Sequence, residues 1–327
     1  MKKMMKSIAA IALMLFAASC SKEMIETPAV NEGEALVSFS IATPGLMTRA
    51  LADGNTVDKV SCNVYNADGT LISDATVSKT LDMTNGSTNF SVRLMTGQTY
   101  SFIFWAYKAP TEGTTSPYTF SATDKTVTVS YANAVSNDES RDAFYAYVEP
   151  VQITGSLTQE IKLHRPFAQL NFGVNKDDIT AAETLGITVS KSSLTIKNLG
   201  TTLNLVSGEV TGATEATFSA AAVLSEGLKV NNVDYGYVSM NYVLVGKSAK
   251  ATADAALTLY KTENESDVIV NTISLPNLPL QGNYRTNVLG NLFTSQTEYS
   301  IEVNSAFTAD DNVDYPAADT NTSNEDV

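Results

Sequence analysis

Short stretches in which apolar and polar residues alternate recur along most of the chain, and they predict a protein built from β-strands. In the first stretch, Val37, Phe39 and Ile41 are separated by single serines, and Pro44 and Gly45 follow directly after it. Successive side chains of a strand point to opposite faces, so these three apolar residues share one face. We predict a first strand over residues 36–41, with this face buried.

At two further places, a glycine-containing turn lies between two apolar, strand-like stretches, and this arrangement favours a β-hairpin. Residues 60–65 precede the turn at residues 66–69, and residues 90–94 precede the turn at residues 96–98. After the second turn, Phe102 and Phe104 alternate with Trp105 and Tyr107, so the two pairs occupy opposite faces of one strand. We expect the phenylalanines to face a core.

The second half of the chain continues the same pattern, with strand candidates at residues 194–196, 203–205, 238–245, 257–259, 268–273 and 299–303. Pro166 interrupts an alternating segment, and proline in a strand-like sequence marks an edge, a bulge or a boundary. We therefore place a domain junction near residues 155–159. No helical pattern separates the strands, which favours a β-sandwich over a parallel α/β sheet. The sequence predicts an all-β chain of two β-sandwich domains, residues 34–158 and 159–308, followed by an acidic flexible tail at 309–327.

The N-terminus has the pattern of an export signal. Lys2, Lys3 and Lys6 precede an apolar stretch at residues 8–18 that is too short to span a bilayer. Small residues at 17–19 stand directly before Cys20, as in the site cleaved by the lipoprotein signal peptidase. We predict a signal peptide at residues 1–19, lipidation of Cys20 including palmitate, a flexible tether at residues 20–33, and a surface-exposed place on the outer membrane. The alternative is a plain secretory signal with an incidental cysteine.

Composition and charge narrow the choice of partners. Hydrophobic residues make up 43% of the 327 residues and charged residues 17%, which suits short strands joined by polar turns. The formal net charge is −14, and the mature chain has no cluster of Lys and Arg to contact phosphates. Nucleic acid is therefore excluded as a partner, while the acidic balance identifies no ligand.

Residues with the chemistry for catalysis are sparse. His164 is the only histidine, and it stands beside Arg165 and Pro166 in strand-like sequence, where a structural role is expected. Phosphate-binding loops and Cys/His metal clusters are missing from the sequence, and the acid pairs at 177–178 and 310–311 fall in polar, turn-like segments. We predict a protein that is not an enzyme, with no catalytic residues, cofactor or metal. Two carboxylates across a cleft, as in glycosidases, remain an open alternative.

Four segments, in their order and spacing after Cys20, carry a resemblance to a known family. They read LVSFSI at residues 36–41, LMTRAL at 46–51, LHRPFAQLNF at 163–172 and GNYRTNV at 282–288. Together they resemble the fimbrillin (type V pilin) superfamily of Bacteroidales fimbrial lipoproteins, and the resemblance covers most of the mature chain. It implies two transthyretin-like β-sandwich domains that assemble with other subunits, identical or related, into fimbriae serving adhesion or biofilm formation.

The resemblance also implies a maturation step. A trypsin-like protease cuts such pilins after an arginine behind the first strand, and the matching bond here joins Arg49 to Ala50. The alternative is an ordinary surface arginine. Removing a strand that carries Val37, Phe39 and Ile41 would open a groove, which a strand of another subunit could fill by β-augmentation. The C-terminal tail is a poor donor strand, so the donor segment and the place in the fimbria (shaft, anchor or tip) stay open.

A second hypothesis is a monomeric surface lipoprotein that binds glycans. If Trp105 and Tyr107 were exposed, their rings could stack on a sugar of a host or bacterial surface, whereas packing against another sheet or loop is the commoner arrangement. The receptor or glycan itself is not identified by the sequence.

Overall fold

The computed structural model describes residues 33–44, 56–224, 227–246, 250–294 and 298–304. The predicted lipidation site Cys20 and the predicted cleavage site Arg49–Ala50 lie outside the described residues, as do the signal peptide and the acidic tail. The described residues from Gly33 onwards belong to one compact unit.

Strands dominate the described residues, so the predicted all-β fold is confirmed. The strands of the first half are β1 (Glu34–Ala42), β2 (Lys59–Tyr65), β3 (Lys79–Asp82), β4 (Ser87–Met95), β5 (Thr99–Tyr107), β6 (Tyr118–Ser121), β7 (Thr126–Val129), β8 (Phe144–Gln152) and β9 (Leu157–Lys162). A short 3-10 helix (Glu139–Arg141) lies between β7 and β8.

The second half begins with strand β10 (Phe167–Val174) and helix α1 (Lys176–Thr184). The remaining strands are β11 (Lys191–Leu199), β12 (Thr202–Asn204), β13 (Val210–Thr211), β14 (Thr214–Ala222), β15 (Gly227–Val230), β16 (Val233–Leu244), β17 (Lys250–Glu263), β18 (Ser266–Gln281), β19 (Arg285–Asn291) and β20 (Glu298–Asn304).

Two sheets of the first half enclose a core between them. One has the strand order β4–β1–β9 and the other β3–β2–β5–β8. Phe39 and Phe90 from the first sheet meet Phe102 and Phe104 from the second, with Phe39 and Phe102 ring centroids 4.7 Å apart. This is a β-sandwich, and the predicted inward direction of both phenylalanines of β5 is confirmed.

The turn at residues 96–98 joins strands of different sheets. β4 pairs with β1, whereas β5 pairs with β2 and β8, so the predicted hairpin between β4 and β5 is wrong. The turn is held from outside, since Thr96 N–H donates to Gly33 O and Gly97 N–H donates to Ile153 O. An alternating pattern shows that a strand has one buried face, but strands on either side of a sandwich core share that pattern.

The second half has the same layered design. A five-stranded sheet, in the order β15–β16–β10–β19–β20, packs against a four-stranded sheet, in the order β14–β11–β17–β18. The core between them contains Leu170, Phe172, Leu194, Ile196 and Leu257, all with 0% exposure. Helix α1 lies where the sequence predicted a turn: the carboxylate of Asp178 accepts hydrogen bonds from Phe293 N–H (2.7 Å) and Thr294 Oγ1 (2.6 Å).

A fifth sheet joins the two predicted domains. In it β6 and β7 from the first half continue into β12 and β13 from the second, with Val127 opposite Leu203. The larger hydrophobic core likewise contains Trp105 and Tyr118 beside residues of the second half. Strand β9, which spans the predicted junction, pairs with β1. The position of the junction stays a prediction, and from these contacts we propose that it falls after β9 and that the two halves share a core.

Candidate functional site: the groove of the first strand

Strand β1 lies in the middle of its sheet, hydrogen-bonded on both sides. It pairs with β4 in antiparallel register along its whole length, from Glu34 opposite Met95 to Ala42 opposite Ser87. On the other side it pairs with β9 in parallel register, from Val37 with Leu157 to Ala42 with Lys162. β1 therefore fills a groove that β4 and β9 form, and we call this the β1 groove.

The inner face of β1 is sealed in the first core. Val37 is 0% exposed, and Phe39 and Ile41 are each 1% exposed, as the alternating pattern predicts. The ring of Phe39 contacts three other rings, at centroid distances of 6.3 Å to Phe90, 4.7 Å to Phe102 and 5.4 Å to Phe104. β1 thus supplies the central aromatic ring of this core.

On the outer face of β1, Ser38 and Ser40 make side-chain hydrogen bonds at the surface, beside the half-buried Leu36 and Ala42. Ser38 Oγ lies 3.0 Å from Ser91 Oγ, and Ser40 Oγ donates to Asn89 Oδ1 at 3.1 Å. Exposed hydrogen bonds of this kind add little to stability because water competes for both groups. The retention of β1 therefore depends on its backbone ladders and its inner face.

Further backbone hydrogen bonds hold β1 at its C-terminal end. Thr43 N–H donates to Gly86 O at 2.8 Å, and Leu163 N–H donates to Ala42 O at 2.9 Å. The described segment ends at Pro44, and the chain is described again from Thr56. The predicted cleavage bond after Arg49 falls between these two points.

The free energy that holds β1 in place follows from its burial. Each of the three large apolar side chains contributes about 1.5 to 3 kcal/mol, so Val37, Phe39 and Ile41 together contribute about 4.5 to 9 kcal/mol. If β1 left, the facing edges of β4 and β9 would be two strand spacings apart, about 9.5 Å, which is the space for one strand. Both edges would then present unpaired backbone groups, and another strand with inward apolar residues could satisfy them.

A thiol lies in the same core. Cys62 on β2 is 0% exposed and stands opposite Phe104, whose ring contacts Phe39. Burial raises the pKa of the Cys62 thiol to about 12, because a thiolate is poorly solvated in an apolar core. This thiol is unreactive while the core is closed, as expected for a buried cysteine.

The proposed glycan contacts at Trp105 and Tyr107 are not supported by their positions. Trp105 is 1% exposed and packs edge-on against Tyr118, with ring centroids 5.3 Å apart, because a second sheet covers this face of β5. Tyr107 is half-buried and packs against the same core. Trp105 is thus a core residue in this structure and offers no surface to a sugar ring.

Sequence reasoning missed a buried ion pair near the end of β9. Arg165 donates to both carboxylate oxygens of Asp142, from Nε at 2.7 Å and from Nη2 at 2.8 Å, and both side chains are 1% exposed. The guanidinium also donates from Nη1 to Asn283 Oδ1 at 3.2 Å and lies 4.6 Å from the ring centroid of Phe144. The pair connects the two halves of the chain.

The ion pair explains why two distant motifs occur together. Arg165 belongs to the segment at residues 163–172, and Asn283 belongs to the segment at residues 282–288. The two segments continue side by side, because β10 pairs in parallel with β19 from Gln169 opposite Arg285 onwards. The fold brings the two motifs into contact although more than 100 residues separate them in the sequence.

Neither a metal centre nor a membrane-spanning helix is found among the described residues. Their His, Cys, Asp and Glu side chains form no group of three or more that could hold a metal ion. The helices in the described part of the chain are too short or too polar to cross a membrane.

These features define an all-β protein with a two-sheet sandwich in which the first strand fills a central groove. Its family model matches residues 27–326, and the chain belongs to DUF6562, a family of unknown function. A comparison with curated proteins finds no match.

The chain is similar to solved structures from three bacterial species. A candidate polysaccharide-binding protein from Bacteroides thetaiotaomicron is 16% identical, with a TM-score of 0.47 over 83% of this chain and 96% of that chain. A fimbrial assembly protein from Parabacteroides distasonis is 14% identical, with a TM-score of 0.40 over 83% and 96%. The fimbrial anchor protein Mfa2 from Porphyromonas gingivalis is 10% identical, with a TM-score of 0.41 over 83% and 98%.

Proposed function

We propose that this protein is a fimbrial subunit or adhesin, and not an enzyme, in which β1 is a displaceable strand. The observation that carries the proposal is the position of β1. It is a central strand with a sealed apolar face, and it connects directly to the segment that contains Arg49. All other described strands follow β1 in the sequence, so a single cut behind β1 breaks its covalent connection to them.

In this proposal a trypsin-like protease cuts between Arg49 and Ala50, and β1 stays in its groove until another strand displaces it. The buried face contributes several kcal/mol, so spontaneous release is slow. The incoming strand belongs to another subunit, identical or related, and restores both backbone ladders. Assembly therefore increases with subunit concentration and with time after cleavage. The lipid on Cys20 holds the uncut precursor at the outer membrane.

The test compares the purified precursor with two variants at the cleavage site. Arg49→Ala removes the site, whereas Arg49→Lys is the matched control that trypsin still cuts. After limited trypsin treatment, the N-terminal sequence of the product and its size by gel filtration and SDS gels are measured. We expect a new N-terminus at Ala50 and SDS-resistant oligomers for the wild type and Arg49→Lys, and an intact monomer for Arg49→Ala. Cleaved wild type that remains monomeric at every concentration, or Arg49→Ala that assembles equally well, would contradict the proposal.

A further inference from the structure

A cavity with a mixed polar and apolar lining lies away from the β1 groove. It has a volume of about 590 Å³ and lies between the connection of β5 to β6 and the connection of β7 to β8. This volume falls in the range of small-molecule sites, about 300 to 1,000 Å³. Its lining includes Asp138, Ser140 and Arg141 of the 3-10 helix segment, together with residues 108–111 and 113–117.

Arg141 is a buried cation that lines this cavity and forms no ion pair with a described residue. The residue is 5% exposed, and its side chain donates from Nη2 to Ser130 O at 2.5 Å. The guanidinium lies 5.5 Å from the ring centroid of Tyr131 and 5.9 Å from that of Phe218. None of the ion pairs between described residues includes Arg141. Guanidinium has five N–H donors, and a buried charge is costly unless it is paired, so the site favours an anionic group.

The other groups around the cavity suit a ligand with several hydroxyls. Short hydroxyl and amide side chains line it, namely those of Thr114, Thr115, Ser116, Ser130, Ser140 and Asn133. Asp138 contributes a carboxylate, of which Oδ1 already accepts from Ser140 N–H at 3.0 Å and Ser140 Oγ at 2.5 Å. Lys108 is also present, with Nζ 2.5 Å from Asp58 Oδ2. Such a mixture of donors and acceptors matches sugar hydroxyls, which both donate and accept.

We propose that this cavity binds an acidic sugar residue, with the sugar carboxylate on Arg141 and the ring hydroxyls on the Ser, Thr and Asn side chains and Asp138. A carboxylate–guanidinium contact is a charge-assisted hydrogen bond and provides the largest share of the affinity. The net charge of −14 opposes an extended polyanion, so a single acidic sugar residue is the better match to one guanidinium. This site goes beyond the proposed function, and no residue of β1 takes part in it.

The test is calorimetric titration of the full chain, purified in a non-ionic detergent without sugar, at physiological ionic strength. The probes are glucuronic acid, glucose as the neutral sugar of the same ring, and acetate as the carboxylate without a ring. We expect glucuronic acid to bind about tenfold or more tightly than either control. If glucose binds as tightly as glucuronic acid, the sugar carboxylate does not contact Arg141 as proposed. If acetate binds as tightly as glucuronic acid, the sugar ring does not contribute to binding.

Variants place the binding in the cavity. We expect Arg141→Gln to weaken glucuronic acid binding about tenfold or more, the effect of losing one charge-assisted contact. Asn133→Gly removes one amide without backbone strain, because Asn133 has a φ of 61° that glycine adopts freely. We expect Asn133→Gly to weaken glucuronic acid binding severalfold. If Arg141→Gln fails to fold, the affinity of Asn133→Gly is the measurement that tests the proposed site. Lys229→Gln, an exposed charge change on β15 away from the cavity, is the matched control. If Asn133→Gly binds glucuronic acid as tightly as the wild type and the control Lys229→Gln do, the proposal is overturned.

Discussion

Replacing Phe39 by alanine tests whether the inner face of β1 holds the strand in its groove. Phe39 is 1% exposed and contacts three rings from β4 and β5, so the substitution removes a buried ring and leaves a cavity. Such substitutions cost about 3 to 5 kcal/mol. We expect the melting temperature to fall by about 6 to 20 °C, at about 2 to 4 °C per kcal/mol for a chain of this size.

The same change should ease the release of β1. Phe39 is buried only while β1 occupies the groove, so its loss raises the population of the released state by about two orders of magnitude or more. The Cys62 thiol reports that state, because burial raises its pKa to about 12 and a released β1 would expose it. In a Cys20→Ala background Cys62 is the sole thiol, and its reaction with a chromogenic disulfide can be timed. We expect a much faster reaction in Phe39→Ala than in the parent protein.

Ser40→Ala is the matched control on the same strand. Its side chain points outward and makes one exposed hydrogen bond, so its loss should change stability by less than about 1 kcal/mol. If Phe39→Ala and Ser40→Ala melt at the same temperature and expose Cys62 at the same rate, the inner face does not hold the strand.

Three further predictions concern other parts of the chain. Asp142→Ala leaves the buried charge of Arg165 without its partner, and we expect a loss of about 3 to 5 kcal/mol in the free energy of unfolding, measured with denaturant; a loss below 1 kcal/mol would contradict the burial of the pair. A fragment that starts at Gln159 lacks β6, β7 and Asp142, so we expect no cooperative melting by circular dichroism, and a sharp transition would show that the second half has a core of its own. Cys20→Ala should abolish labelling by a palmitate analogue and outer-membrane retention, and equal labelling of the variant would refute the lipidation.

The sequence predicts single strands of this fold well and their partners poorly. The alternation of Val37, Phe39 and Ile41 determines one buried face, and the structure confirms it. The same pattern does not distinguish a neighbour in the same sheet from a strand across the core, which is why the β4–β5 connection was misassigned. Helix α1 was missed because only a few of its residues, such as Ile179 and Ala182, are apolar, too few for a clear helical period.

The residues of the candidate sites also differ in how well the sequence predicts them. The buried face of β1 was predictable, because alternation is a local feature of the sequence, whereas its neighbours β4 and β9 were not. The pairing of Arg165 with Asp142 was not, since the two residues are 23 positions apart on different segments and either one alone has the appearance of a surface charge. The burial of Trp105 depends on a sheet formed with residues from the second half, and no local pattern contains that information.

The double pairing of β1 also has a mechanical consequence. The ladder hydrogen bonds to β4 and β9 lie across the strand direction, so a force along the strand loads all of them at once, as in shear, and does not break them one after another. Any strand held in this groove would therefore withstand a lengthwise pull far better than a sideways one. A fibre whose subunits are joined through such grooves would resist tension along its axis although no covalent bond links its subunits. Single-molecule pulling on a tethered pair of subunits would show this as a rupture force that falls when the handles are moved from lengthwise to sideways attachment.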